Sequence, residues 1–366
     1  MKIQKISNAR RFWEFLLFGS LLIPCSMMPL MAAEDCGKSG DLNYVCGPMN
    51  AEDVLPLGAT QWLLTSGMDG SMTNSATPGH IYLVNRRDKT SAVFFPGTAP
   101  VFRQDKNMFG ACPGPLNPDK FSSHGLALQQ QSADHYRIYM TSHGEREAIE
   151  VFEIDLKDKA PAIAWVGCVL LPEKMWANSV AVLSDGGFVT TKFMDPAVPN
   201  VFAEIMQGKI SGSIYEWHPG AAVTEIPGTA LSAPNGIVVS TDDRWMYVTA
   251  FGTRDVVRFD RTADPVSKTS IQVNVRPDNL RWGDDGKLYT VGGNYVAPEA
   301  CPSPPCNTGW SVIGIDPRTF TASRVTGVDQ TATLQGASAA APVDKEIWIG
   351  TYNGDRIGYL SRPSGN

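Results

Sequence analysis

Five short segments of the sequence open on a polar side chain and run at once into apolar residues. They begin at Glu52, His124, Asn178, Asn235 and the pair Asp278-Asn279. Glu52 and Asp278 offer carboxylates, while Asn178, Asn235 and Asn279 offer amide oxygens. An oxygen-only set of this kind suits a hard cation, Ca2+ above all, which takes carboxylates and amide carbonyls together. Zinc is a poor match, because neither a thiolate pair nor several imidazoles accompany the set. A single Asn-Gly, such as Asn235-Gly236, is better explained as a turn than as a ligand. The weight lies in the recurrence of polar residues at equivalent positions.

Those positions are equivalent because the chain repeats. Six units start at residues 51–55, 124–128, 178–182, 235–239, 278–282 and 336–340, mostly about 43 to 58 residues apart, with a longer first interval of 72 residues from Glu52 to His124. In most units a turn such as Ser184-Asp185-Gly186-Gly187, Asp242-Asp243 or Asp284-Asp285-Gly286 leads to a second apolar strand. These second strands fall near residues 137–141, 187–191, 245–249, 287–291 and 347–350, and third strands near 149–153, 212–216, 256–259 and 312–315. Six such units predict an all-β fold, a six-bladed β-propeller. The first strand of each blade is then innermost, so the polar starts converge on the central axis. Buried polar groups there need partners, and one cation serves them all.

Of the 366 residues, 43% are hydrophobic and 19% charged, which excludes a disordered chain. The 34 Gly and 26 Pro suit many short strands and argue against a helical bundle. A net charge of −6 with no basic stripe excludes a general nucleic-acid partner. Lys2, Lys5, Arg10 and Arg11 precede an apolar stretch from Phe15 to Ala33, and Ala32-Ala33 then meets Glu34-Asp35. This predicts a secretory signal peptide over residues 1–33 and a secreted or periplasmic propeller over 34–366. Membrane association follows only if the segment stays uncleaved, and Pro24 and Pro29 suit a spanning helix poorly. Cys36, Cys46, Cys112, Cys168, Cys301 and Cys306 would remain after export, an even number that predicts disulfides. Local pairing favours Cys36–Cys46 and Cys301–Cys306, leaving Cys112–Cys168.

Several stretches together resemble the paraoxonase/arylesterase family, which is related to the gluconolactonase-like propellers. They are His124-Gly125-Leu126-Ala127-Leu128, Ile138-Tyr139-Met140-Thr141-Ser142-His143-Gly144, Ile149-Glu150-Val151-Phe152, Asn178, Asn235-Gly236-Ile237, Asp278-Asn279, Leu334-Gln335-Gly336-Ala337-Ser338 and Ile347-Trp348-Ile349-Gly350-Thr351. The likeness covers about residues 47–360. It implies a six-bladed propeller that holds calcium and hydrolyses lactones or aryl esters. Carried over by position, the resemblance implies a catalytic calcium on Glu52, Asn178, Asn235, Asp278 and Asn279, and a histidine dyad of His124 and His143. It also implies a second calcium on Asp53 and the carbonyl of Leu126, although Ser179 stands where a further carboxylate is called for. A pocket histidine of the family falls near Asn294. The family's disulfide between chain ends cannot form, since no cysteine follows Cys306.

Ca2+ polarises a carbonyl and stabilises the oxyanion formed on attack. His124 is the expected base, because imidazole titrates near neutral pH, with His143 as its orienting partner. His80, His135 and His218 read as surface residues in turns, and Glu145-Arg146-Glu147 as a solvated turn. Gly336-Ala337-Ser338-Ala339-Ala340 misses the nucleophile-elbow pattern and reads as a close-packed inner strand. The expected function is therefore a calcium-dependent hydrolase acting on a small lactone or ester. Two alternatives stand beside it. One is a gluconolactonase-like sugar-lactone hydrolase with Asp278 as base; the other is a non-catalytic or strictosidine-synthase-like propeller.

Overall fold

The computed structural model of the chain describes residues 37–70, 79–157, 160–296, 309–329 and 334–363. The expected signal peptide, Cys36 and the Cys301–Cys306 pair lie outside them. The described residues build six sheets, antiparallel but for one added strand in blade II, and these are the six blades of the expected propeller. Their innermost strands are Val54–Pro56 (blade I), Phe121–Gln130 (II), Trp176–Val182 (III), Pro234–Val239 (IV), Leu280–Trp282 (V) and Gln335–Val343 (VI).

Alternation along each inner strand supplies both neighbouring blades, since successive side chains point to opposite faces. Val180 packs toward blades I and II while Ala181 packs toward blade IV. Ile237 and Val238 divide in the same way between blades III and V, and Ala340 faces blade V while Ala339 and Ala341 face blade I. The fold thus has no single core but a ring of apolar layers between blades. This is why the strands read as apolar on both faces.

Each blade carries a fourth strand that the repeat alone did not reveal. In blade VI it comes from the other end of the chain. Asn43–Cys46 pairs antiparallel with Arg356–Ser361, closing the ring with an N-terminal strand. The long first interval has its own explanation. Residues after blade I cross the outside of blade II, where Val101–Phe102 pairs in parallel with its outermost strand, Ala162–Leu170. The Cys112–Cys168 disulfide ties this crossing segment to that strand, as the pairing by elimination required. Cys46 is disulfide-bonded as well. Asp242-Asp243 and Asp284-Asp285-Gly286 lie in turns between strands, and residues 335–343 form an inner strand, as read. His80 departs from expectation: it opens a strand of blade I, half-buried, its ring edge-on to Tyr82. His135 likewise opens a strand of blade II. No helix among the described residues is long and apolar enough to cross a membrane.

Candidate active site

The polar starts sit where the inner strands are irregular. Blade II slips register between Ser123 and Leu126, around His124. Blade III slips between Ala177 and Val180, around Asn178, and blade IV between Pro234 and Ile237, around Asn235. Such bulges break the alternation and re-aim side chains, a recurrent device beside active sites. Glu52 and Asp278-Asn279 fall just before the inner strands of blades I and V. Buried hydroxyls hold these backbones in place. Ser338 Oγ donates to the carbonyl of Glu52 at 2.6 Å, Thr191 Oγ1 to that of Asn235 at 2.7 Å, and Thr249 Oγ1 to that of Asp278 at 2.6 Å.

The glycine after a polar start is a packing requirement and not a turn signal. A Cβ on Gly236 would stand 2.3 Å from the amide nitrogen of Leu280 and 2.6 Å from the carbonyl carbon of Asn279. One on Gly125 would stand 2.5 Å from the carbonyl oxygen of Asn178. Neighbouring inner strands touch at these points, which is how residues of separate blades reach one cluster. Gly236→Ala is expected to push blade V away, costing about 1–3 kcal/mol as overpacking does. A melting curve checks this, and an unchanged midpoint would show that the contact has slack.

Glu52, Asn178, Asn235 and Asp278 line one cavity of about 290 Å³ at the mouth of the central channel. Asn279 joins them, its Nδ2 donating to Glu52 Oε1 at 2.7 Å. All five are buried. Among the described residues, Glu52 Oε2, Asn178 Oδ1, Asn235 Oδ1 and Asn279 Oδ1 are buried without a hydrogen-bond partner. Orphaned buried oxygens are costly, and here they come from four blades and are all acceptors. A hard cation satisfies such a set. Burial, with the Glu52 carboxylate next in effect, raises the Asp278 carboxyl well above its usual range. No group of three His, Cys, Asp or Glu side chains suited to a metal occurs among the described residues; this cluster has two carboxylates and owes its other oxygens to amides.

His124 and His143 do meet. His124 Nδ1 lies 2.8 Å from His143 Nε2, and His143 Nδ1 lies 2.6 Å from Glu147 Oε1. The bonding pattern assigns the tautomers. A carboxylate only accepts, so His143 carries its proton on Nδ1. Its Nε2 then accepts from His124 Nδ1–H, which leaves His124 Nε2 unprotonated, an acceptor toward Asn178 Nδ2. His124 Nε2 is 3.4 Å from Asn178 Nδ2 and 3.6 Å from Glu52 Oε1. Burial opposes the charged form of His124, but the carboxylates around it, Glu52 first and then Asp53 and Glu147, together raise the pKa. Trp176 packs on both rings, with centroids 6.2 and 5.3 Å away.

The run Glu145-Arg146-Glu147 is solvated at Glu145 alone, and its other two residues turn inward. Glu147 serves His143, and Arg146 pairs at 2.7 Å with the fully buried Glu150, which also accepts from Trp165 Nε1 at 2.7 Å. Only the i,i+4 spacing of His143 and Glu147 hinted at the contact. The walls of the cavity come from Met68, Trp176, Phe193, Phe202, Phe251 and Tyr352. Phe202 stands on a short helix, Val201–Met206, inserted in blade III. Asn294 is not a wall: it bonds Ser311 Oγ and the carbonyl of Val328. Asp53 and Leu126 are brought together as expected for a second ion, yet both are held by the guanidinium of Arg281. The guanidinium thus stands between the two donors expected for that ion.

A six-bladed propeller with a carboxylate–amide cluster and a histidine dyad at one channel mouth defines the class. The chain belongs to the arylesterase family, whose profile matches residues 60–357. It is accordingly a carboxylic-ester hydrolase. No curated protein matches the sequence. Among solved structures, a luciferin-regenerating enzyme is similar at 13% identity with a TM-score of 0.55, over 88% of this chain and 95% of that one. A gluconolactonase from Xanthomonas campestris gives 18% identity and a TM-score of 0.52, over 88% and 89%. A calcium-binding regucalcin from Agrobacterium tumefaciens gives 11% and 0.50, over 86% and 91%. At these identities the likeness speaks for the propeller fold.

Proposed function

We propose that the chain is an exported, calcium-dependent hydrolase of lactones or aryl esters. The observation that carries this reading is the set of partnerless buried oxygens on Glu52, Asn178, Asn235 and Asn279 beside the His124–His143 pair. Glu52, Asn178, Asn235, Asp278 and Asn279 would hold the ion. When bound, calcium supplies Lewis acidity to the ester carbonyl. His124 Nε2 takes the proton of the attacking water and returns it to the leaving alkoxide. His143 keeps His124 in the tautomer that leaves Nε2 unprotonated, and Glu147 does the same for His143. The aromatic walls exclude water and seat the apolar part of the substrate. The Cys112–Cys168 disulfide supports an oxidising compartment.

The direct test joins metal analysis of purified protein to a panel of lactones and aryl esters, with and without chelator. Calcium bound to the native state, and turnover that chelation removes, are the expected results. Full turnover in metal-free protein would reject calcium dependence and leave the ester-hydrolase assignment to be explained by side chains alone.

A further inference from the structure

One residue beyond Glu52, the side chain of Asp53 is completely buried. Unlike the oxygens above it, its carboxylate has a full set of partners. The amide of Val54 donates to Oδ1 at 2.9 Å, the amide of Leu126 to Oδ2 at 2.8 Å, and the guanidinium of Arg281 pairs with Oδ2. Arg281 is itself only 5% exposed. Its remaining bonds go to carbonyl oxygens: Nη2 to Leu126 at 2.8 Å, Nε to Val54 at 3.3 Å and Nη1 to Leu280 at 3.2 Å. These oxygens lie on the inner strands of blades I, II and V, so one side chain stitches three blades across the axis.

A carboxylate and carbonyl oxygens converging from separate strands form a hard-cation donor set. We infer that Arg281 is a built-in cation, occupying the place between Asp53 and Leu126 where a second metal ion would bind, so that the channel takes a metal at the Glu52 cluster alone. Two features carry this. A metal at Asp53 would share oxygens with a fixed positive charge inside a poorly screened interior. And the partnerless oxygens, which mark where a cation is wanted, sit on Glu52, Asn178, Asn235 and Asn279 and not on Asp53. Ser179, whose hydroxyl is also without a partner, adds only a neutral oxygen in place of a carboxylate. Each layer of the channel is then balanced separately: Glu52 and Asp278 by a divalent ion, Asp53 by Arg281. The count of one ion rests on the proposed metal reading of the Glu52 cluster; the role of Arg281 does not.

The test has two arms. In the first, calcium per chain is counted in the wild-type protein, Glu52→Gln and Asp53→Asn after loosely held ions are removed. One ion is expected in wild type and in Asp53→Asn, and none in Glu52→Gln. In the second, melting is followed for Arg281→Met, Asp53→Asn and the double variant, in calcium and in chelator, with Arg281→Lys as the milder change should Arg281→Met fail to fold. Arg281→Met is expected to lower the midpoint by roughly 10 °C, since it strands a buried charge. The double variant should regain at least half of that loss, equally with and without calcium. Two ions in wild type, one of them lost in Asp53→Asn, would overturn the inference. So would an Arg281–Asp53 coupling that disappears on chelation. No ion in any variant, with the coupling intact, would remove the metal reading of the Glu52 cluster while leaving Arg281 in its assigned role.

Discussion

Glu52→Ala and Asn235→Ala each lose the bound ion and hydrolysis together. Either change removes a direct donor, and the remaining oxygens come from other blades that cannot close the gap, because their inner strands already touch at Gly125 and Gly236. Both variants should fold, since the apolar layers lie between blades and away from the axis. A ligand bound only to the native state stabilises it by about 2.7 kcal/mol at a hundredfold excess over Kd. The variants should therefore melt roughly 5–10 °C below calcium-loaded wild type. They should also show no further fall on chelation, whereas wild type should drop to near their level. Asn235→Ala is the cleaner of the two, since Glu52 also accepts from Asn279 and its loss disturbs a second donor. A variant that keeps its calcium but loses activity would move that residue from ligand to substrate contact. Full activity without the ion would overturn the calcium mechanism.

The ring of blades and the ligand candidates were legible in the sequence for a physical reason. A carboxylate or amide at the start of an apolar strand has no place in an ordinary core, and its recurrence with the blade period leaves the axis as its destination. What stayed hidden was whatever depended on pairing across the chain. Asn43–Cys46 carries no local mark that assigns it to Arg356–Ser361. The helix Val201–Met206 is too short to show a helical period. Arg281 is the visible anomaly in the pattern. A charged residue between Leu280 and Trp282 in an inner strand must find a counter-charge, but only the folded ring shows that it is Asp53, 228 positions away. Glu147 was misread because a Glu-Arg-Glu run usually marks solvent. Here the strand end at Gly144 turns the segment back so that Glu147 meets His143.

His124→Gln keeps calcium and the fold, and lowers hydrolysis by about 10²–10⁴-fold, the usual worth of a positioned base. Glutamine fills similar space at this buried position but has no basic nitrogen to offer the attacking water. His143→Gln should be milder, since the His124 ring stays in place and only its tautomer is less firmly set. Glu147→Gln should be milder still. Its amide can donate to His143 Nδ1, reversing the tautomer along the relay and placing the His124 proton on Nε2 in part of the population. The three variants therefore form a graded series if the proton path runs through Glu147, His143 and His124. Asp278 is the competing base, because its carboxyl is raised by burial and lines the same cavity. Asp278→Asn preserves an oxygen donor, so the comparison is made with both variants loaded and their metal content measured. If His124→Gln retains most of its turnover while calcium-loaded Asp278→Asn has none, the base is Asp278, and the histidines serve to bind and orient substrate. A graded loss from Glu147→Gln to His124→Gln, at constant metal content and with calcium-loaded Asp278→Asn retaining most of its turnover, assigns the base to His124, because neither His143 nor Glu147 bonds to the Asp278 carboxylate.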